Sequence, residues 1–425
     1  MTLATELRCD DCLAAFPLTG PATVCPRCGG LLEVCYDLDR APADLFERAA
    51  ANRARGLWRW DAVLPLPDGA MPVSLGEGDS PLLAAQAVGE SLGVPGLLIK
   101  NDALMPTGSF KDRGFAVAMS MARYWGLTRG FTYSSGNAGA SFAAYAARAG
   151  LRGTVFVESY ANPTKVAMIS LYGAAVYRLR YDSAAQVFAA VQDLARAGEH
   201  SFVNFINPFR HEAMKTYAYE ICEALDWRVP DVMVHSVGTG GGLWGAWKGF
   251  RELLRLGRIG RLPRMVGVQP AACAPLVDAF DRDAAETGVV GDVTATIAQS
   301  IAGDAMIHGG RRVLRAIRDS AGFAIAVTED QIADAIRTLG RAAVAAEPSA
   351  AAALAGVVAA RQAGRIAERE TVVAVVTGSA LKQPAALTDA APAPLGDVWA
   401  DPAQWRAVLD PGHRAPSVGA VSTGP

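Results

Sequence analysis

Between about residue 96 and residue 380, short apolar runs alternate with segments of helical period, and this alternation constrains the fold more than any other feature of the chain. The run Thr371-Val372-Val373-Ala374-Val375-Val376 is short and β-branched, and its unbroken apolarity suits a strand covered on both faces. Residues 130–134 read as a strand before an Ala-rich helix over 140–148, 153–158 read as another strand, and 231–237 lead into a helix over 243–254. Strand and helix in alternation predict a mostly parallel sheet with helices on its faces, an α/β fold. No fixed-period repeat is present.

The chain has 425 residues, 51% of them hydrophobic, which is enough for more than one packing unit at roughly 150 residues per domain. Lys plus Arg number 40 and Asp plus Glu 42, a formal charge of -2, so there is no electrostatic reason to bind nucleic acid or an acidic membrane. The first residues, Met1 to Cys9, lack the basic head and apolar stretch of a secretory signal, and no run reaches the length of a membrane span. A cytoplasmic protein acting on a small molecule is expected. The Pro-, Ala- and Gly-rich end, 401–425, reads as a partly ordered tail.

Four of the seven cysteines form two knuckles, Cys9-x-x-Cys12 and Cys25-x-x-Cys28, inside a unit over 1–38 too small to be held by an apolar core. Two such turns facing each other supply four soft ligands, so the spacing predicts a structural zinc ribbon; a redox pair or a metal-free ribbon are the alternatives. Four thiolates leave no open position for catalysis. Asp10, Asp11, Glu33 and Asp37 outnumber Arg8 and Arg27 around the knuckles, which argues against a nucleic-acid-binding ribbon.

The segment Pro106-Thr107-Gly108-Ser109-Phe110-Lys111-Asp112-Arg113-Gly114 places a lysine at a helix start directly after a Gly-Ser turn. The positive end of the helix disfavours the charged amine, which suits Schiff-base chemistry, although a lone lysine in such a place is more often a solvated charge. Only six lysines occur, at 100, 111, 165, 215, 248 and 382, so few compete with Lys111 for this role.

Gly238-Thr239-Gly240-Gly241-Gly242 follows an expected strand and opens a helix, a pattern that curls backbone N–H groups around a phosphate or simply permits a tight turn. It matches neither a Walker loop nor a dinucleotide fingerprint. Ser134-Ser135-Gly136-Asn137-Ala138-Gly139 is a second strand-to-helix loop suited to a carboxylate. Arg210, after Asn207-Pro208-Phe209, can grip a phosphate or serve as a structural ion-pair partner. Thr377-Gly378-Ser379-Ala380 closes the last strand with a hydroxyl at the carboxyl edge of the sheet, where open α/β folds bind ligands.

Together with Gly76-Glu77-Gly78-Asp79-Ser80-Pro81-Leu82 and Glu347-Pro348-Ser349-Ala350, these motifs follow an order that resembles the threonine synthase family of fold type II pyridoxal-phosphate enzymes over residues 7 to 385. Some members carry a four-cysteine zinc ribbon before the catalytic body. The resemblance implies two open parallel-sheet lobes after the ribbon, with a large lobe over 39–105 and 216–400 and a small lobe over 106–215. It also implies a lyase of amino-acid biosynthesis, often dimeric, that takes O-phosphohomoserine and water to threonine and phosphate by γ-elimination and β-addition.

By the same resemblance Lys111 carries the cofactor, pyridoxal 5'-phosphate, with Phe110 beside the ring and Asn137 at the ring hydroxyl. Gly238, Thr239, Gly240, Gly241 and Gly242 hold the cofactor phosphate, and Thr377 faces the ring nitrogen. Ser134, Ser135 and Ala138 surround the substrate carboxylate, while Asn204, Arg210 and Lys215 sit at the substrate phosphate. Cys9, Cys12, Cys25 and Cys28 bind zinc.

The chain departs from the family pattern at Phe205, at Ala213-Met214 and at Ala138, where a threonine is frequent. The alternatives are therefore β-replacement on phosphoserine, dehydration of threonine or serine, or a non-catalytic protein retaining the fold.

Overall fold

The computed structural model describes residues 2–158, 161–181, 184–203, 206–290, 292–303, 305–393 and 400–409. The expected tail over 401–425 lies mostly outside them; within it a helix, Pro402–Leu409, is described. Among the described residues no helix is long and apolar enough to cross a membrane.

Six strands form the larger sheet. From one edge to the other they run Phe323–Val327, Arg264–Pro270, Val232–Ser236, Val372–Val376, Leu97–Asn101 and Leu82–Ala84, and all neighbours are parallel except the last pair. The two central strands, Val232–Ser236 and Val372–Val376, are buried at every residue, which is why the second is apolar throughout and the first opens Val-Met-Val rather than alternating. The alanine-rich helix Pro348–Gln362 covers this sheet at very short range: a Cβ on Gly356 would stand 2.3 Å from Val268.

A smaller parallel sheet, Arg129–Tyr133, Arg152–Val157 and Ala175–Arg178, belongs to a second lobe. Two helices introduce the residues that matter, Lys111–Tyr124 and Asn137–Ala149, and they pack against each other. The sequence reading of 130–134, 140–148 and 231–237 falls within a residue or a helical turn of these bounds. Such slippage is ordinary where a terminal turn is set by caps rather than by periodicity.

The ribbon is a three-stranded antiparallel sheet in which Ala4–Cys9 pairs with both Ala15–Phe16 and Leu32–Tyr36. It rests on both lobes. Trp125 donates its indole N–H to the Leu18 carbonyl at 3.1 Å, and Lys248 pairs with Glu33 at 3.2 Å. Arg312 reaches the Leu32 carbonyl at 3.1 Å and the Asp10 carboxylate.

Candidate active site

The strand Leu97–Asn101 ends at the carboxyl edge of the large sheet, and the chain turns through Asp102–Leu104 before Gly108, at φ 77°, lets it double back into the helix that begins at Lys111. That helix start is held from three sides. The Phe110 N–H donates to the Thr377 carbonyl at 2.9 Å, and Lys382 donates to the Thr107 carbonyl at 2.8 Å. Asp112 accepts from the Thr107 N–H at 2.7 Å and from the Thr107 and Ser141 hydroxyls at 2.6 Å each. Burial still pushes the Asp112 carboxyl up to about 6.

Below it, Arg113 is buried between Asp102, at 2.7 Å, and Glu220, while Lys100 meets Glu220 at 2.7 Å. Two cations and two carboxylates balance in this cluster. Removing one would leave a buried charge unpaired, which is far costlier than the intact cluster is stabilising. The lysine-bearing helix is thereby tied to the sheet and to the helix Thr216–Ala224.

Lys111 itself makes no hydrogen bond or ion pair among the described residues; its Nζ lies 4.1 Å from the centre of the Phe110 ring. Burial, together with the positive charge of Arg210, lowers its amine to about 7, against the opposing pull of Glu347. A lysine so poised is substantially neutral near neutral pH and nucleophilic.

The glycine loop lies against Phe110, since a Cβ on Gly242 would come within 3.0 Å of the Phe110 ring. Gly240 adopts φ 84° and precedes the helix Gly241–Arg255. Side chains are barred here: a Cβ on Gly240 would come within 2.2 Å of Val313, one on Gly242 within 2.4 Å of His235 Nε2, and one on Gly238 within 3.3 Å of the Ile301 backbone. The result is a bare backbone turn at a helix N-terminus, a cradle for an anion.

His235, which the sequence did not single out, packs its ring edge-on to Phe110 at 5.5 Å. Its Nδ1 lies 2.7 Å from the Ser236 carbonyl, and burial lowers its pKa to about 4, so it stands neutral beneath Phe110.

Asn137 opens the helix Asn137–Ala149, and its side chain is buried with Nδ2 on Glu347 while Oδ1 finds no partner among the described residues. Ser109 Oγ, Ser236 Oγ and Arg210 Nε are likewise buried without one. Ser134 and Ser135 are half-buried at the loop before that helix, the Ser134 hydroxyl accepting from the Gly136 N–H at 3.3 Å, and Ala138 is buried. Buried polar atoms are seldom left unsatisfied, so this concentration beside Lys111 and a glycine cradle fits a polar, phosphorylated ring compound.

Arg210, on the short helix Pro208–Glu212, is 3% exposed. Its guanidinium lies 3.9 Å from the Phe115 ring centre and donates Nη1 to the Phe202 carbonyl at 2.8 Å, with no carboxylate paired to it among the described residues. Gly114 permits the approach, since a Cβ there would meet the Arg210 carbonyl at 3.0 Å.

The structural-partner reading open for Arg210 instead describes Lys215. Its ammonium is bound by Glu252 at 3.0 Å and Glu212 at 3.2 Å and lies 3.5 Å from the Tyr36 ring, so it is committed to the packing beneath the ribbon rather than free for a substrate phosphate. Asn204 lies outside the described residues.

The four ribbon sulfurs all lie within 4.8 Å of one another, with Cys9 and Cys28 at 3.5 Å and Cys12 and Cys25 at 3.6 Å. Tetrahedral zinc with bonds near 2.3 Å needs sulfurs about 3.8 Å apart, so the set fits that ion.

Comparison with known proteins agrees with this geometry. A model of the family described as pyridoxal-phosphate dependent enzyme matches residues 73–378. Threonine synthase of Methanocaldococcus jannaschii is 36% identical over 392 residues, 91% of this chain and 95% of that protein. The chain belongs to the threonine synthase family of pyridoxal-phosphate dependent enzymes.

Another family member, threonine synthase of Methanosarcina acetivorans, is 33% identical and covers 90% of this chain and 94% of its own length. Among solved structures, threonine deaminase isoform 2 of Solanum lycopersicum superposes with a TM-score of 0.62 at 20% identity, covering 83% of this chain and 95% of that one. Maize serine racemase gives 0.61 at 18%, covering 82% and 96%. At such identities the likeness is one of fold, the fold type II arrangement of a pyridoxal-phosphate enzyme.

Proposed function

We propose that this chain converts O-phosphohomoserine and water to threonine and phosphate. The observation that carries the choice of a phosphorylated substrate is Arg210: a guanidinium buried beside the Lys111 helix, with no carboxylate to neutralise it among the described residues. Burial alone lowers its pKa to about 9. An uncompensated buried cation is costly unless an anion arrives, and a phosphate dianion suits a guanidinium fork best.

When bound, pyridoxal phosphate supplies an electron sink that acidifies the C–H bonds near the amino-bearing carbon. The roles of the protein's residues are those that the likeness to the family gives them. Backbone N–H groups of Gly238, Thr239, Gly240, Gly241 and Gly242 would hold the cofactor phosphate, and Phe110, Asn137 and Thr377 would orient its ring. Ser134, Ser135 and the N–H groups around Ala138, at the start of the helix Asn137–Ala149, hold the substrate carboxylate. Lys111, with its amine near pKa 7, takes protons from carbon and returns them within one turnover. Arg210 holds the substrate phosphate and stabilises it as it leaves with its negative charge.

The test is to supply the purified holoenzyme with O-phosphohomoserine, O-phosphoserine, threonine and serine in turn, measuring phosphate and the organic product. Phosphate and threonine in equal amounts from the first alone is the expected result. Phosphate from phosphoserine only, or ketobutyrate from threonine, would replace the proposal with β-replacement or dehydration.

A further inference from the structure

Lys165 lies on the helix Pro163–Leu171 of the smaller lobe and is 2% exposed, yet its ammonium bonds across the cleft. It donates to Glu347 Oε2 at 2.9 Å and to Ser300 Oγ at 2.8 Å. Both acceptors belong to the opposite side. Glu347 immediately precedes the helix that covers the large sheet, and Ser300 is fastened to that helix by its own N–H, which donates to Ser349 Oγ at 2.9 Å.

Glu347 has a second engagement. Its Oε1 accepts from Asn137 Nδ2, the amide placed at the cofactor ring. Gly378, next to Thr377, keeps the passage between them open, since a Cβ there would come within 2.7 Å of Glu347 Oε1 and 3.1 Å of Asn137 Nδ2.

We propose that Lys165 is a positioning residue for the reaction: it latches the two lobes across the cleft and, through Glu347, fixes which way the Asn137 amide faces the cofactor ring. This rests on the place given to Asn137 beside the ring and not on the identity of the substrate. Without Lys165 the Glu347 carboxylate loses the ammonium that holds its Oε2. The carboxylate is then free to turn, and the Asn137 amide bonded to its Oε1 loses its fixed orientation with it. A pair retained for stability alone could be replaced by apolar residues with little loss. A pair that sets the amide could not.

The experiment compares the holoenzyme with its Lys165→Met, Lys165→Arg and Lys165→Met/Glu347→Gln variants, by the visible absorbance of the bound cofactor, by thermal midpoint, and by kcat and KM on whichever amino acid the wild type turns over. Lys165→Met should move the absorbance maximum and lower kcat at least about tenfold while KM changes by less than about threefold. Lys165→Arg should keep the wild-type band and recover at least about half of the turnover, because the cation is retained. The double variant, free of an unpaired buried charge, should regain the wild-type midpoint but neither band nor kcat; it is the variant to read where Lys165→Met does not fold. A wild-type band and kcat in either Lys165→Met background, with only the midpoint changed, would overturn the proposal. The absorbance arm uses no substrate, so its outcome is separate from that of the O-phosphohomoserine test.

Discussion

The Arg210 guanidinium lies 3.9 Å from the centre of the Phe115 ring, one helical turn beyond Lys111, and its positive charge adds to the burial that lowers the lysine's pKa. One buried cation thus has two consequences: it offers a partner to an anion, and it assists burial in favouring the neutral form of the neighbouring amine.

Replacing Arg210 by Met should weaken a phosphorylated substrate. A charge-assisted, bidentate contact is worth about 2–3 kcal/mol, so kcat/KM should fall roughly 30- to 150-fold. The thermal midpoint should hold or rise, because the change removes a desolvated charge lacking a carboxylate partner. Steady-state kinetics and a melting curve check both.

Cofactor loading should depend on pH through Lys111. The amine must be neutral to attack an aldehyde, and its folded pKa near 7 lies below the usual 10.5. The rate of reconstitution of cofactor-free protein should therefore rise with pH and level off just above 7. The linked stability runs the same way: between about 7 and 10.5 the unfolded chain binds the proton that the folded chain does not, so this group adds stability to the cofactor-free protein as pH increases across that window. In Arg210→Met the loading midpoint should move upward.

Gly240→Ala should damage the cradle twice over. Its φ of 84° costs a side chain about 1–2 kcal/mol, and the new Cβ meets Val313 at 2.2 Å. Titration of the variant with pyridoxal phosphate should show an affinity lowered at least about tenfold, the loss expected for about 1.4 kcal/mol.

The ribbon should hold about one zinc per chain, since four sulfurs complete a tetrahedron. Metal analysis of Cys25→Ser should find the ion lost. The thermal midpoint should fall with it, because metal affinity in such a unit is also folding energy.

The features legible in the sequence were those whose chemistry is local. A glycine run after an apolar run, a lysine after Gly-Ser, and two CxxC turns each announce their geometry within a few residues, and the structure gives all three the form expected. Lys165 and Glu347 were invisible as a pair, because 182 positions separate them and only the packing of one lobe on the other brings them to 2.9 Å. His235 was missed because a histidine in a strand reads like any other inward residue until Phe110 is seen above it. Lys215 misled for the opposite reason: it occupied a family position, and Glu252, which binds it, comes from a different helix. Long-range partners, not local propensity, decide which charges are free to work.

The most direct test of the whole account is reduction of the coloured holoenzyme with borohydride, followed by proteolysis and mass spectrometry of the peptides. The account predicts the phosphopyridoxyl group on the peptide carrying Lys111 and on no other. A label on Lys165, Lys215 or another lysine, or a protein that never takes up the cofactor, would contradict it.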